Sequence, residues 1–280
     1  MLRSGAPPHS HSKPVGQPRY GISLFDPVTM SWDRLPPVPK YPDGLPLFCQ
    51  VVSTEGKLIL IGGWDPSSWE PVRDVFVYEF TTQKWTQCAD MPSTRSFFAV
   101  GAVEGKVIVA GGHDESKNAL RSAWVLDMKE EEWCELGRMR EERDECEGVV
   151  MGSEFWVVSG YGTETQGAFK RSAEVYGMGK GEWRVEEEAW GRVDARDHAW
   201  GWRRVKGEVI DMLGGGGGGG VGEVKVGACV VEVGERRVVT GSEYQGAPHG
   251  FYLYANGKLV KVNVEEEYSG IVQSGCCVEI

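Results

Sequence analysis

Three short phrases bring glycine to the end of an apolar run: KLILIGGWD from Lys57 to Asp65, KVIVAGGHD from Lys106 to Asp114, and EFWVVSGYG from Glu154 to Gly162. Glycines behind a strand are what a phosphate cradle uses, because bare main-chain N–H groups can then close on an anion. That chemistry also needs a helix opening directly behind the glycines, or a Gly-Lys-Ser/Thr ending. Neither follows any of the three phrases. The seven consecutive glycines Gly214 to Gly220 satisfy the dinucleotide spacing trivially, and no helical pattern comes after them. They read as a flexible loop over 213–222, since polyglycine carries the largest ordering entropy of any sequence.

Other residue types that carry chemistry are scattered. His9 and His11 sit in a tail rich in Pro and Ser, and His113, His198 and His249 lie far apart with no second ligand at a suggestive spacing. Seven cysteines, an odd number, show no CxxC pair and no regular spacing, so neither a disulfide framework nor a zinc site is expected and a reducing compartment is. No local signature of a Ser-His-Asp nucleophile appears. The expectation is therefore no catalytic residue, no metal and no cofactor.

Charge and apolar patterning narrow the partners. A net charge of −11 disfavours nucleic acid, whose phosphates need a basic surface, and favours protein partners. The opening MLRSGAPPHSHSKPVGQ lacks the apolar stretch of a signal peptide, and residues 1–18 read as a disordered tail. No apolar run is long enough to span a bilayer. With 41% hydrophobic residues and 11 tryptophans the remainder can bury a core, while 39 glycines and 14 prolines favour short strands over long helices.

The three phrases recur at intervals of 49 and 48 residues, counted between Gly63, Gly112 and Gly160. A tryptophan follows each of them, Trp85, Trp133 and Trp183, and Trp32 precedes the first phrase. Seven residues before each tryptophan stands a large apolar residue: Phe25, Tyr78, Leu126 and Tyr176. A two-residue turn precedes each phrase, at Glu55-Gly56, Glu104-Gly105 and Gly152-Ser153, and a further apolar run precedes each turn. The unit thus reads strand, tight turn, strand ending in glycine, polar loop, strand, turn, Trp-bearing strand. Four short strands per period of this length mark a propeller blade.

Elementary physics fits that reading. A strand buried on both faces should be continuously apolar rather than alternating, as Leu58 to Ile61 and Val107 to Ala110 are. The pairs Gly62-Gly63 and Gly111-Gly112, and Gly160 in the third copy, would supply positive φ and close backbone approach. Each tryptophan with its apolar partner would fill the wedge between neighbouring blades. Arg95 and Arg143, ten residues after Trp85 and Trp133, would tie blades together by hydrogen bonds, with Arg143 paired to one of its flanking acids.

This unit resembles the kelch repeat, most clearly over residues 19–190. The stretches GLPLFCQVV, AGGHDESKNALRSAWVLDM, EERDECEGVV and GYGTETQGAFKRSAEVY, and the ending IVQSGCCVEI, look like plant F-box/kelch-repeat proteins. The resemblance implies a kelch propeller that holds a protein for ubiquitination, joined through an F-box to a Skp-type adaptor of an SCF ligase. The branch it most resembles implies phenylalanine ammonia-lyase as target, hence restraint of phenylpropanoid synthesis, in the cytoplasm or nucleus. The sequence departs from that pattern in showing no F-box before Arg19, so a propeller-only competitor is the alternative reading. A kelch-fold enzyme is a further alternative. Copper-oxidase sites on this scaffold need paired Tyr and His ligands. The Fe²⁺ triplet ExxxDxxxH is matched only at Asp194 and His198, with Trp190 where the acid belongs.

The repeat weakens after Trp190 and revives from Val226. Val205 to Ile210 could be a hairpin of an eroded blade, while Tyr252 and Leu259 keep the seven-residue offset across Asn256-Gly257, a hairpin signal. Ile271 to Ile280 reads as a strand that closes the ring beside the N-terminal copy, which has only its outer two strands. The sum is an all-β kelch propeller over 19–280, of five to six four-stranded blades, one degenerate. Recognition is expected on the loops behind the glycines. Trp64, Asp65, Trp69 and Glu70 of the first, His113 and Asp114 of the second, and Tyr161 and Glu164 of the third would form an acidic, aromatic-rimmed surface, unless Trp64 merely packs on its neighbouring blade. The glutamate triplets at 130–132, 186–188 and 265–267 read as solvated turns between outer strands.

Overall fold

A computed structural model describes residues 19–187, 226–242, 249–256 and 258–279. A hairpin comes first, β1 (Ser23–Asp26) and β2 (Ser31–Arg34). The first full blade follows as β3 (Gln50–Thr54), β4 (Lys57–Ile61), β5 (Val75–Glu79) and β6 (Lys84–Gln87). The second holds β7 (Ala99–Val103), β8 (Lys106–Ala110), β9 (Ala123–Asp127) and β10 (Glu132–Leu136). The third holds β11 (Glu147–Met151), β12 (Glu154–Val158), β13 (Ala173–Gly177) and β14 (Glu182–Glu186). The last holds β15 (Val226–Val233), β16 (Arg236–Ser242), β17 (Gly250–Ala255) and β18 (Lys258–Lys261). Each is an antiparallel meander, and the only helical pieces among the described residues are short 3₁₀ turns. The tail at 1–18, the eroded blade, Trp190, Asp194, His198 and the polyglycine loop lie outside the described residues.

The core lies between blades rather than within them. In β4 and β8 every residue after the opening lysine is buried, as continuous apolar runs require. Ile59, Ile61, Val75, Phe98, Val107 and Val109 join one cluster that spans the first and second blades. Each such side chain contributes about 1.5–3 kcal/mol on burial. The seven-residue offset has a geometric origin. A four-residue turn joins the third and fourth strands, which sets Tyr78 opposite Trp85, Leu126 opposite Trp133 and Tyr176 opposite Trp183. In the first and third blades the two rings meet at the same 5.1 Å and 55°.

The tryptophans also latch neighbouring blades. The indole N–H of Trp85 donates to the carbonyl of Pro36 (2.8 Å), that of Trp133 to Ala89 (2.9 Å) and that of Trp183 to Gly137 (2.5 Å). Each acceptor lies one or two residues past the outermost strand of the preceding sheet. Trp32 makes the same bond to Asn263, just past β18, at 3.3 Å. The hairpin therefore follows the last blade around the ring. Trp32 meets Phe251 edge-on and stacks on Tyr268, and Arg236 donates to the carbonyl of Pro27.

The C-terminal segment completes this closure in a form the sequence did not suggest. Residues 271–279 run beside β3 but form no strand there. They are held through side chains instead: Gln273 Oε1 accepts from Phe48 N (3.0 Å), Ser274 Oγ accepts from Val51 N (3.2 Å), and Ser53 Oγ donates to the carbonyl of Cys277. Cys276 and Val278 pack against the cluster of Tyr20, Ile22 and Leu58. In the last blade the expected facing of Tyr252 and Leu259 fails. Ala255 lies opposite Lys258, so the link is two residues long, and Tyr252 faces Lys261 while Tyr254 faces Leu259. Asn256 is left-handed at φ 51°, as a tight hairpin turn needs; Gly257 lies outside the described residues. Glu265 to Glu267 is likewise not a turn between outer strands, because it follows β18 and packs on the hairpin, with Arg34 donating to the Glu267 carbonyl.

Candidate protein-binding surface

The two rims of the ring differ in kind. On one, the links at 55–56, 80–83, 104–105, 128–131, 152–153, 178–181 and 234–235 are tight turns. On the other, the connections at 35–49, 62–74, 88–98, 111–122, 137–146 and 159–172 are long. Rigid strands that carry long loops at one end make a recognition surface.

The second glycine of each phrase fixes where those loops start. Gly63, Gly112 and Gly160 have φ of 96°, 77° and 82°. A Cβ there would sit 2.7 Å from the Leu47 carbonyl, 2.3 Å from that of Ser96 and 2.8 Å from that of Asp144. Only glycine meets both demands. The residue behind it then pairs in both directions with the lead-in loop of its own blade: Trp64 with Leu47, His113 with Ser96, and Tyr161 with Asp144.

This pairing aims the first side chain of each loop inward or sideways. Trp64 Nε1 donates to Ser96 Oγ of the next blade at 2.6 Å, so Trp64 packs on its neighbour and is only half-exposed. His113 is buried, with Nδ1 2.9 Å from Asp144 Oδ1 of the next blade. Tyr161 is buried and donates to Glu145 Oε1 at 2.9 Å; burial first, and Glu145 second, hold its phenol well above the usual range. Of these three expected recognition residues, Trp64 and His113 are thus committed to the next blade, and Tyr161 to the lead-in loop of its own. Asp65 and Asp114 cap their own loops, accepting from Ser67 and Ser68 N and from Ser116 and Asn118 N. The outward-facing members of the expected set are Trp69, 47% exposed with φ 60°, Glu70 beside it, and Glu164 on a 3₁₀ turn (Thr163–Thr165).

Arg95 and Arg143 are structural, but by a route that differs from the expectation. The Arg95 guanidinium is buried and donates to the carbonyls of Gly111 (3.1 Å) and Ser122 (3.2 Å), within its own blade. Desolvation without a carboxylate partner holds it down at about 10. Arg143 donates to the carbonyls of Ser159 and Ser172, and its main acid is the fully buried Glu174 on β13 at 3.2 Å rather than a flanking residue. The crossing between blades is made by main chain, Arg143 N to Leu120 O and Gly112 N to Arg143 O. The first full blade has Pro46 at this register. There Lys40 Nζ and Tyr41 OH reach Asp74, which stands where the other blades have Ser122 and Ser172.

One feature of the loop rim had no signal in the sequence. Phe48, Phe97 and Glu145 occupy one register, each at the mouth of an innermost strand, and all are left-handed at φ 60°, 52° and 50°. The Phe48 and Phe97 rings lie 4.8 Å apart, and Phe97 stands 5.6 Å from the His113 ring. Such a backbone costs about 1–3 kcal/mol per residue, and neither Phe nor Glu advertises it. Among the described residues no group of three His, Cys, Asp or Glu is placed to hold a metal ion.

Comparison with known proteins agrees with this architecture. Residues 11–197 match the KLHDC2/KLHL20/DRC7 Kelch-repeats domain. F-box/kelch-repeat protein At1g15670 of Arabidopsis thaliana is 36% identical, covering 97% of this chain and 80% of the relative. F-box/kelch-repeat proteins At2g44130 and SKIP20, also from Arabidopsis thaliana, are 45% and 44% identical over 65% and 63% of this chain. The chain spans less than half the length of these two, 45% and 44%. Four-stranded kelch blades and a relative matched along nearly the whole sequence place the chain in the F-box/kelch-repeat family.

Proposed function

We propose that this chain is the target-binding propeller of an SCF-type ubiquitin-ligase subunit, and that its loop rim holds the protein to be ubiquitinated. The observation that carries the reading is the asymmetry of the rims. Long loops gather on one side, their first residues are pinned by bonds to lead-in loops and neighbouring blades, and Trp69 and Glu70 are left facing out. A pinned loop that presents an exposed tryptophan is a pre-organised anchor, because little ordering entropy remains to be lost on binding. The family supports delivery to a Skp-type adaptor through an F-box. The resemblance to one branch makes phenylalanine ammonia-lyase the first target to try, with restraint of phenylpropanoid synthesis as the outcome, in cytoplasm or nucleus.

The test is capture of purified phenylalanine ammonia-lyase, and of a Skp-type adaptor from plant extract, on the immobilised chain. Target capture that is lost in Trp69→Ala, with the variant melting like the parent, supports the reading. Equal capture by a stable Trp69→Ala removes this rim from the interface. Target capture without an adaptor makes the chain a competitor rather than a ligase subunit.

A further inference from the structure

The chain carries a net charge of −11, yet its loop rim holds exposed arginines at a repeated register. Arg73, Arg121 and Arg171 each stand five residues before Tyr78, Leu126 and Tyr176. All three are exposed. The fold uses the main chain at this position: the carbonyls of Arg73 and Arg121 accept from Met91 N (2.8 Å) and Met139 N (2.9 Å) of the connection that leads to the next blade. It makes little use of the side chains. Arg73 reaches only the Pro92 carbonyl at 3.5 Å, and Arg121 and Arg171 have no hydrogen bond or ion pair among the described residues.

Between the second and third full blades this register meets two more arginines. Met139 is buried and tied to Arg121, and the residues on either side of it, Arg138 and Arg140, are exposed. Arg140 N donates to Glu174 Oε2 at 2.6 Å, which sets that stretch against the start of β13, beside Arg171. Acids of the same seam are already engaged. Glu141 is held by Lys170 at 3.1 Å, Glu142 accepts from Thr163, and Glu174 is buried on Arg143. Four exposed arginines therefore border one seam; none forms an ion pair among the described residues, and Arg140 acts on Glu141 only behind Lys170 and Arg143.

We propose that Arg121, Arg138, Arg140 and Arg171 form a docking site for an anionic segment of a protein target, a cluster of carboxylates or phosphorylated side chains. A guanidinium binds either group with two parallel hydrogen bonds, and several on one rigid seam reward closely spaced charges. A basic patch on an acidic chain also steers such a segment to this part of the rim. The inference rests on the target-binding reading and adds the chemistry of what is bound.

The test uses the full chain and fluorescence anisotropy with four probes: a short glutamate-rich peptide, the same peptide with phosphoserines for the glutamates, a neutral serine version, and single-stranded oligouridine. The expected result is salt-sensitive binding of one or both anionic peptides but not the neutral one. Binding should fall about tenfold in Arg138→Glu/Arg171→Glu and stay unchanged in Arg73→Glu, which lies outside the seam. Whichever anionic peptide binds more tightly identifies carboxylate or phosphate as the group read. Should the double variant melt early, Arg138→Gln/Arg171→Gln gives the same comparison without charge reversal. Peptide binding is read in the absence of phenylalanine ammonia-lyase and of any adaptor, so failure of the capture experiment and failure of this one are separable. Absence of binding by both anionic peptides, equal binding by the parent and the stable double variant, or oligouridine bound as tightly as the peptides would overturn the proposal.

Discussion

The three full blades from β3 to β14 and the place where the chain ends meet solve one problem in two ways. In the regular blades a single stretch of chain supplies all four strands, and its tryptophan bonds back to the sheet before it. At the closure, the hairpin β1–β2 brings its own tryptophan to Asn263, and residues 271–279 lie along β3 through side-chain bonds. The latch is conserved in geometry while the strand ladder is not. Repetition therefore resides in the contacts between blades, and the two ends of the chain can meet without a four-stranded ladder so long as those contacts survive.

Several substitutions would break or sharpen this comparison, and the largest effect lies inside the regular blades. Glu174→Ala leaves Arg143 buried without its acid and should cost about 3–5 kcal/mol, read from denaturant unfolding. Arg95 has no acid to lose, so no substitution of a carboxylate reproduces that effect in the second blade. Trp133→Ala removes a half-buried ring and its bond to Ala89 and should cost about 3 kcal/mol. Trp32→Ala makes the same deletion at the closure. A cost similar to that of Trp133→Ala in thermal melts would show that the two latches are equivalent, and a negligible one would show that the hairpin is only loosely docked. Ser274→Ala should cost about 1–2 kcal/mol, since it removes two hydrogen bonds, one from Val51 N and one to Gln50 Oε1. Trp69→Ala should change stability by less than about 0.5 kcal/mol, since its ring is exposed.

What could be read from the sequence follows the same division. The blades were legible because Tyr78 with Trp85, or Gly62 with Gly63, obey constraints that act locally: a four-residue turn fixes the offset, and a backbone approach excludes a Cβ. The closure was not legible in detail. Gln273 and Ser274 act as surrogates for a ladder through side chains, and no periodicity marks such residues. Tyr252 was matched to the wrong partner because Asn256-Gly257 signalled a two-residue turn while the offset of the other blades implied a four-residue one; the turn chemistry won. The residues expected to form a recognition surface divided likewise. Trp69 and Glu70 do face solvent, whereas Trp64, His113 and Tyr161 looked like loop residues because nothing in the sequence shows that the next blade offers Ser96 and Asp144 to the first two, or that Glu145 of its own blade takes the third. The arginine register at 73, 121 and 171 went unread in the sequence, because its exposed side chains obey no packing or backbone constraint that would mark them.

The central claim, that the loop rim and not the turn rim meets the target, is most directly tested by site-specific photocrosslinking. A photoreactive amino acid is placed at Trp69 on the loop rim in one protein and at Lys180 on the turn rim in another, and both are irradiated in plant extract. The account predicts a discrete adduct from position 69 and none from position 180. Adducts from position 180 with none from position 69 would contradict it.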